Sequence, residues 1–181
     1  MEKVTHKGRL IEIIQKEVGQ AGVVKTYEIA RRSPGVRLII EKDGQILISK
    51  EFRHEQGGLD YRLPGGKVYD SLDEYRAALD AGVDIQEAAR RAAIKEAKEE
   101  VGIRVKDVSF LYKSICGATM QWDLYYFATQ SFEEGEQELE AGEDTTFEFV
   151  DREKAKEMCL DGSVSEDRSA LVLLRYLEGG F

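Results

Sequence analysis

KEAKEEVGI, residues 95–103, places Glu96, Glu99 and Glu100 within one turn of a helix and then breaks on Gly102. Residues at i, i+3 and i+4 are neighbours on a helix, with Cβ atoms about 5–6 Å apart. Two carboxylates at that range repel by roughly 3 kcal/mol at an effective dielectric near 20. In full solvation the penalty falls to about 0.2–0.5 kcal/mol per pair. An exposed charged face, with Lys95 and Lys98 absorbing charge, is therefore one reading. The other is a set of hard oxygen ligands for Mg²⁺. Gly102 supplies the left-handed residue that ends the helix.

The segment leading into this stretch is helical. Asp84 with Glu87 marks a start, and the alanine-rich run from Ile85 to Val101 favours helix throughout. A shorter helix precedes it in DSLDEYRAALDAG (70–82). There Ser71 and Glu74 make a capping box, Leu72, Tyr75 and Leu79 share a face, and Gly82 can close the helix. Further upstream, LPGGK (63–67) is a glycine turn able to bring a backbone carbonyl towards the same ion as the acid triplet.

Strands surround the helices. VVKTYEIARR (23–32) alternates, and VRLIIEKDGQILISKEF (36–52) reads as a hairpin about Asp43-Gly44. VSFLYKSI, MQWDLYYFAT and TTFEFV are strand-like, and REKAKEMCL and RSALVLLRYL are amphipathic helices. Strands and helices do not alternate regularly. This predicts an α+β fold, an α/β/α sandwich on a mixed sheet, over a doubly wound parallel one.

Composition narrows the function. The chain has 181 residues, with 26 basic against 35 acidic side chains and a net charge of −9. That argues against nucleic acid as a partner, because a basic footprint carries most of such affinity. An acidic protein can still bind a phosphate when a divalent cation lies between them. No run approaches the roughly 18 apolar residues of a membrane helix. MEKVTHKGRLIEII lacks the apolar block of a secretory signal, and Cys116 and Cys159 have no metal-type spacing. The expectation is a reduced, cytoplasmic protein.

With Glu87, Lys95, Glu96, Glu99, Glu100, Gly102 and Ile103 in register, the chain resembles the Nudix hydrolases, whose box reads G-x5-E-x7-R-E-U-x-E-E-x-G-U, with U aliphatic. Gly66 resembles the first glycine of the box. Three features depart from it. Lys95 stands where the family has arginine, and cannot form its bidentate fork. Ala97 stands where a larger aliphatic residue is usual. Gly66 lies too far from Glu87, so residues 70–84 look like an insertion inside the box. The order of the remaining segments, from about Gly35 to Leu177, is also the family's. The N-terminal strands and the C-terminal run resemble the branch that cleaves ADP-ribose and nucleoside-diphosphate sugars. Beyond the box, Cys116-Gly117 stands where ADP-ribose pyrophosphatases show proline, so the branch suggests the chemistry more firmly than the substrate.

The resemblance implies a Nudix-type sandwich at 35–181, preceded by antiparallel strands at 1–34 that in this branch take part in a swapped homodimer. It implies that Glu96, Glu99, Glu100 and the Gly66 carbonyl bind Mg²⁺ or Mn²⁺. Glu87 would support catalysis, or simply complete the helix cap. The water-activating base would come from the late acidic loop, with Glu143 and Glu140 as the candidates. Arg53, just after the hairpin, and Arg32 would bind substrate phosphate. Trp122, Tyr125, Tyr126 and Phe127 could stack on a base or fill the core. The implied activity splits a nucleoside diphosphate linked to another group, ADP-ribose or a nucleotide sugar, into a nucleoside monophosphate and a sugar phosphate. Cleavage of nucleoside triphosphates or dinucleotide polyphosphates, or nucleotide binding without turnover, are the alternatives.

Overall fold

The computed structural model describes residues 2–54, 57–139 and 144–181. Its first three strands, β1 (Glu2–Lys7), β2 (Ile11–Gln20) and β3 (Val23–Arg32), form an antiparallel meander. β4 (Gly35–Lys42) and β5 (Gln45–Arg53) then make the expected hairpin. Asp43 and Gly44 both take positive φ, 52° and 78°. This is what a two-residue turn needs to match the twist of its strands. β6 (Gly58–Arg62) returns antiparallel along β5.

Two helices follow. α1 (Leu72–Asp80) is capped by Ser71, whose hydroxyl accepts from the Glu74 backbone N–H and donates to its carboxylate. α2 (Ile85–Val101) is capped by Asp84 and ends on Gly102 at φ 64°. Next come β7 (Ile103–Val105), β8 (Ser109–Ser114), β9 (Met120–Gln121), β10 (Leu124–Thr129), β11 (Phe132–Glu134) and β12 (Thr145–Asp151). α3 (Arg152–Leu160) and α4 (Asp167–Leu177) close the chain.

The main sheet runs β12-β5-β4-β10-β8, with β6 also on β5. β10 lies parallel to β4 and the other pairs are antiparallel, so the sheet is mixed. Alternation along its strands divides the core. Val36, Leu38, Ile40, Tyr125 and Phe127 pack against Ala89, Ala93 and Ala97 of α2. Ile39, Leu124, Tyr126 and Ala128 pack against Met158 of α3 and Leu173 of α4. This is an α/β/α sandwich. Ala97 is fully buried in it, on the face of α2 turned to the sheet.

One expected strand divides. MQWDLYYFAT breaks at Trp122-Asp123, leaving β9 paired parallel with β3 and β10 in the main sheet. The Gly35 N–H donates to the Asp123 carbonyl at 2.9 Å, which fixes the crossing point. The helix α1 is tied to the N-terminal sheet rather than to α2. Arg76 donates to Glu12, a fully buried carboxylate that Arg31 also contacts, and Lys7 pairs with Asp73 at 2.5 Å. Among the described residues no helix is long and apolar enough to cross a membrane.

Candidate active site

A cleft of about 710 Å³ opens at the start of β4. Its position follows from the fold, because Gly35 at the head of β4 lies opposite Leu124 at the head of β10. α2 borders it from one face of the sheet, and β6 with the loop ahead of α4 borders it from the other.

On the first flank the LPGGK turn meets α2. The Gly65 N–H donates to Glu100 Oε2 at 2.8 Å. The Glu96 carboxylate lies directly on Gly66, where any Cβ would overlap it. Gly65 also requires its own lack of a side chain: at φ 148° a Cβ would run into the Val36 carbonyl. The Gly66 carbonyl accepts from the Val36 N–H at 3.0 Å, which leaves its second lone pair available. Glu99, one turn along, accepts from Lys95 at 2.7 Å, and this contact holds the lysine above its ordinary range. Among the described residues no three acidic, histidine or cysteine side chains close fully around one point. The donor set is nonetheless that of a hard divalent cation: two carboxylates brought onto one backbone turn, a third on the same helix, and a carbonyl oxygen of that turn.

The opposite flank is rich in arginine. Arg37, on the strand face away from α2, donates through Nε to Glu166 at 3.0 Å and through Nη1 to the Val36 carbonyl. Asp60 is almost fully buried; Arg62 and Arg53 pair with it, and the Ser165 hydroxyl donates to it at 2.5 Å. Arg53 also pairs with Glu51 at 2.7 Å. Trp122 stands at the strand crossing, with the Arg32 and Arg168 guanidiniums 4.3 and 4.4 Å from its ring centre. Burial pushes Arg62 down to about 10, helped by Arg37 and Arg53. Burial and the nearby Arg37 and Arg168 also lower Arg32. Burial pushes Glu166 upward, but Arg37, the Ser169 hydroxyl and Arg168 outweigh it and hold the carboxyl below its ordinary value.

Glu96, Glu99, Glu100, Gly66, Arg53 and Arg32 all line this one cleft. Glu87 does not; it is held by Arg90 and Arg91 on the first turn of α2, where its N–H completes the Asp84 cap. Glu140 and Glu143 lie outside the described residues. Of the four aromatics considered for stacking, Trp122 lines the cleft, whereas Tyr125, Tyr126 and Phe127 are buried on the two faces of the sheet. Sequence reasoning passed over Arg37, Arg62, Ser165 and Glu166. A signal existed for Arg37, a lone charge within the apolar run GVRLII. Nothing comparable marks Arg62 or Glu166, which reach the cleft only through tertiary structure.

Residues 30–170 match the NUDIX domain family. A solved structure described as an ADP compounds hydrolase superposes with a TM-score of 0.68 at 19% identity, covering 99% of this chain and 93% of that one. No curated protein matches the sequence.

Proposed function

The chain belongs to the Nudix domain family and is a Nudix hydrolase, and from that premise we propose that it splits the diphosphate of a nucleoside diphosphate joined to a second moiety, ADP-ribose or a nucleotide sugar. The observation that carries the proposal is the seating of Glu96 and Glu100 on the Gly65-Gly66 turn. Glu96, Glu99, Glu100 and the Gly66 carbonyl would hold Mg²⁺ or Mn²⁺. When bound, a divalent ion supplies charge neutralisation at the diphosphate oxygens and lowers the pKa of water. The fold of the neighbour, an ADP compounds hydrolase by description, supports adenosine diphosphate as the common part of the substrate.

The chain's own groups then divide the work. The Gly65 N–H fixes Glu100, and contact with Gly66 fixes Glu96, so neither carboxylate needs to reorganise. Lys95 pairs with Glu99 at 2.7 Å and offsets part of the like charge gathered on this face of the helix. Arg53 and Arg32 offer planar donor pairs to phosphate oxygens. Water attacks one phosphorus, the bridging P–O bond breaks, and a carboxylate takes the water's proton. Glu143 and Glu140 are our choice for that acceptor, and Glu87 supports the first turn of α2. The products are a nucleoside monophosphate and a sugar phosphate.

We also place this enzyme in the cytoplasm as a homodimer. Val4, Val18, Val23 and Tyr27 are exposed on one face of the N-terminal sheet, an apolar surface that a second copy of the same sheet could cover.

A turnover panel tests the reading. Purified protein with Mg²⁺ is given ADP-ribose, nucleotide sugars, nucleoside triphosphates and dinucleotide polyphosphates, and released monophosphate is resolved by chromatography. Cleavage of the first two classes that stops with chelator is the expected result. Turnover confined to triphosphates or polyphosphates would overturn the substrate class, and chelator-resistant turnover would overturn the metal dependence.

A further inference from the structure

We propose that α1, the segment inserted inside the box, fastens the turn between β1 and β2 at the cleft, and that Arg9 on this turn is a further substrate-binding residue, which takes a phosphate oxygen of the diphosphate. The inference rests on the hydrolase reading above for the presence of that diphosphate.

Two ion pairs hold the turn, one on each side of it. Lys7 ends β1, and Glu12 lies opposite it in the pairing of β1 with β2. Lys7 pairs with Asp73 at 2.5 Å, and Glu12 accepts from Arg76 Nε at 3.2 Å. Asp73 and Arg76 are three positions apart on α1 and so share a face of it. One helix face thus grips both strands where they enter and leave the turn. The grip is unequal. The Lys7–Asp73 pair is exposed and contributes little to stability. Glu12 is fully buried, and a buried carboxylate that loses a partner is costly, so Arg76 is the firmer hold. The turn itself is tight. The Gly8 N–H donates to the Ile11 carbonyl at 2.8 Å, and a Cβ on Gly8 would overlap that carbonyl.

Arg9 and Leu10 lie on this turn, are exposed, and line the same cleft as Gly66 and Glu99. A ligand in the cleft therefore has access to Arg9. Its lack of partners singles it out. Of the other cleft-lining arginines, Arg37 pairs with Glu166, Arg53 with Glu51 and Arg62 with Asp60, while Arg32 lies over the Trp122 ring. Arg9 makes no hydrogen bond, ion pair or ring contact with any of the described residues. Its whole fork is available, and a guanidinium fork matches two oxygens of a phosphate. An arginine on a loose turn would give back much of that contact in ordering the chain; a turn already gripped on both sides has less to give back.

The test is steady-state kinetics on ADP-ribose with Mg²⁺. Arg9→Gln should raise KM about tenfold with kcat nearly unchanged, the loss of one charge-assisted contact made alike in ground and transition states. Arg9→Lys, which keeps the charge but not the fork, should fall between. Arg76→Gln should raise KM when Arg9 is present and add nothing in the Arg9→Gln background. A merely structural Arg76 would act equally in both backgrounds. Should Arg76→Gln fold poorly, Asp73→Asn takes its place in the same cycle. An unchanged KM in Arg9→Gln overturns the substrate contact, and equal effects in the two backgrounds overturn the part given to α1. Calorimetry with ADP and Mg²⁺ separates the proposal from the reading it rests on. The wild type should bind ADP about tenfold more tightly than Arg9→Gln does. Equal binding, or none by the wild type, overturns the proposal. If no diphosphate is cleaved at all, the hydrolase reading has failed while the ADP comparison still decides Arg9.

Discussion

The acidic flank of the cleft comes from one helix and one turn, whereas the arginine flank draws on β3, β4, β5, β6 and the chain entering α4. Glu96, Glu99 and Glu100 are neighbours in sequence and need only a helix to become neighbours in space. Arg37 and Glu166 are 129 positions apart and meet only when α4 has docked on the sheet. On the reading proposed above, the local flank holds the metal chemistry, which tolerates little variation in geometry. The dispersed flank is where changes in separate segments can alter what the site accepts without moving the carboxylates.

The comparison breaks most visibly at Glu100. Glu100→Gln keeps an acceptor for the Gly65 N–H but removes the charge, and turnover should fall by about 10³-fold, roughly 4 kcal/mol, with the circular dichroism unchanged. Steady-state kinetics on ADP-ribose decides it, and a loss of less than about tenfold would remove Glu100 from the metal set. Gly66→Ala should cost about 100-fold in kcat, because the new methyl displaces the Glu96 carboxylate. Retained activity there would mean that Glu96 need not sit on the turn.

On the dispersed flank the larger effect is on stability. Glu166→Gln strands Arg37, whose side chain is only 7% exposed, and should cost about 2 kcal/mol at pH 7 in denaturant titration. Its pH dependence has a definite sign. Burial raises the Glu166 pKa, but Arg37, Ser169 and Arg168 outweigh it, so the folded value is below the ordinary 4.5. The stability it contributes is therefore complete above pH 4.5 and is lost as the pH falls through the folded value. The gap between wild type and Glu166→Gln should close on acidification below pH 4.5; a constant gap would show that the charge is not what matters. The smallest effect belongs to Lys95, which is half exposed. Lys95→Ala should change stability by about 0.5 kcal/mol or less. A larger loss on unfolding would mean that the lysine braces the helix rather than the Glu99 carboxylate alone.

How far the sequence could be read follows the same division. The hairpin at Asp43-Gly44, the caps at Ser71 and Asp84 and the stop at Gly102 are local devices, and each occurs in the structure where its residues stand. The acid triplet was legible for the same reason. The break at Trp122-Asp123 was not, because MQWDLYYFAT is strand-forming throughout and only competition between two sheets divides it. The bond from Arg76 to buried Glu12 was equally hidden, since neither residue's surroundings specify a partner 64 positions away. The arginine flank divides: Arg53 and Arg32 could be proposed from the sequence and Arg37 stands out within its apolar run, whereas Arg62, Arg168 and Glu166 carry no local mark and join the cluster only through β6 pairing with β5 and α4 packing on the sheet.

The most direct test is Mn²⁺ binding, followed by electron paramagnetic resonance on wild type, Glu100→Gln and Arg168→Gln. If the acidic flank holds the metal and the arginine flank does not, Glu100→Gln should bind at least about tenfold more weakly while Arg168→Gln binds as the wild type does. Unchanged binding in Glu100→Gln, or loss in Arg168→Gln, would contradict the division of the cleft.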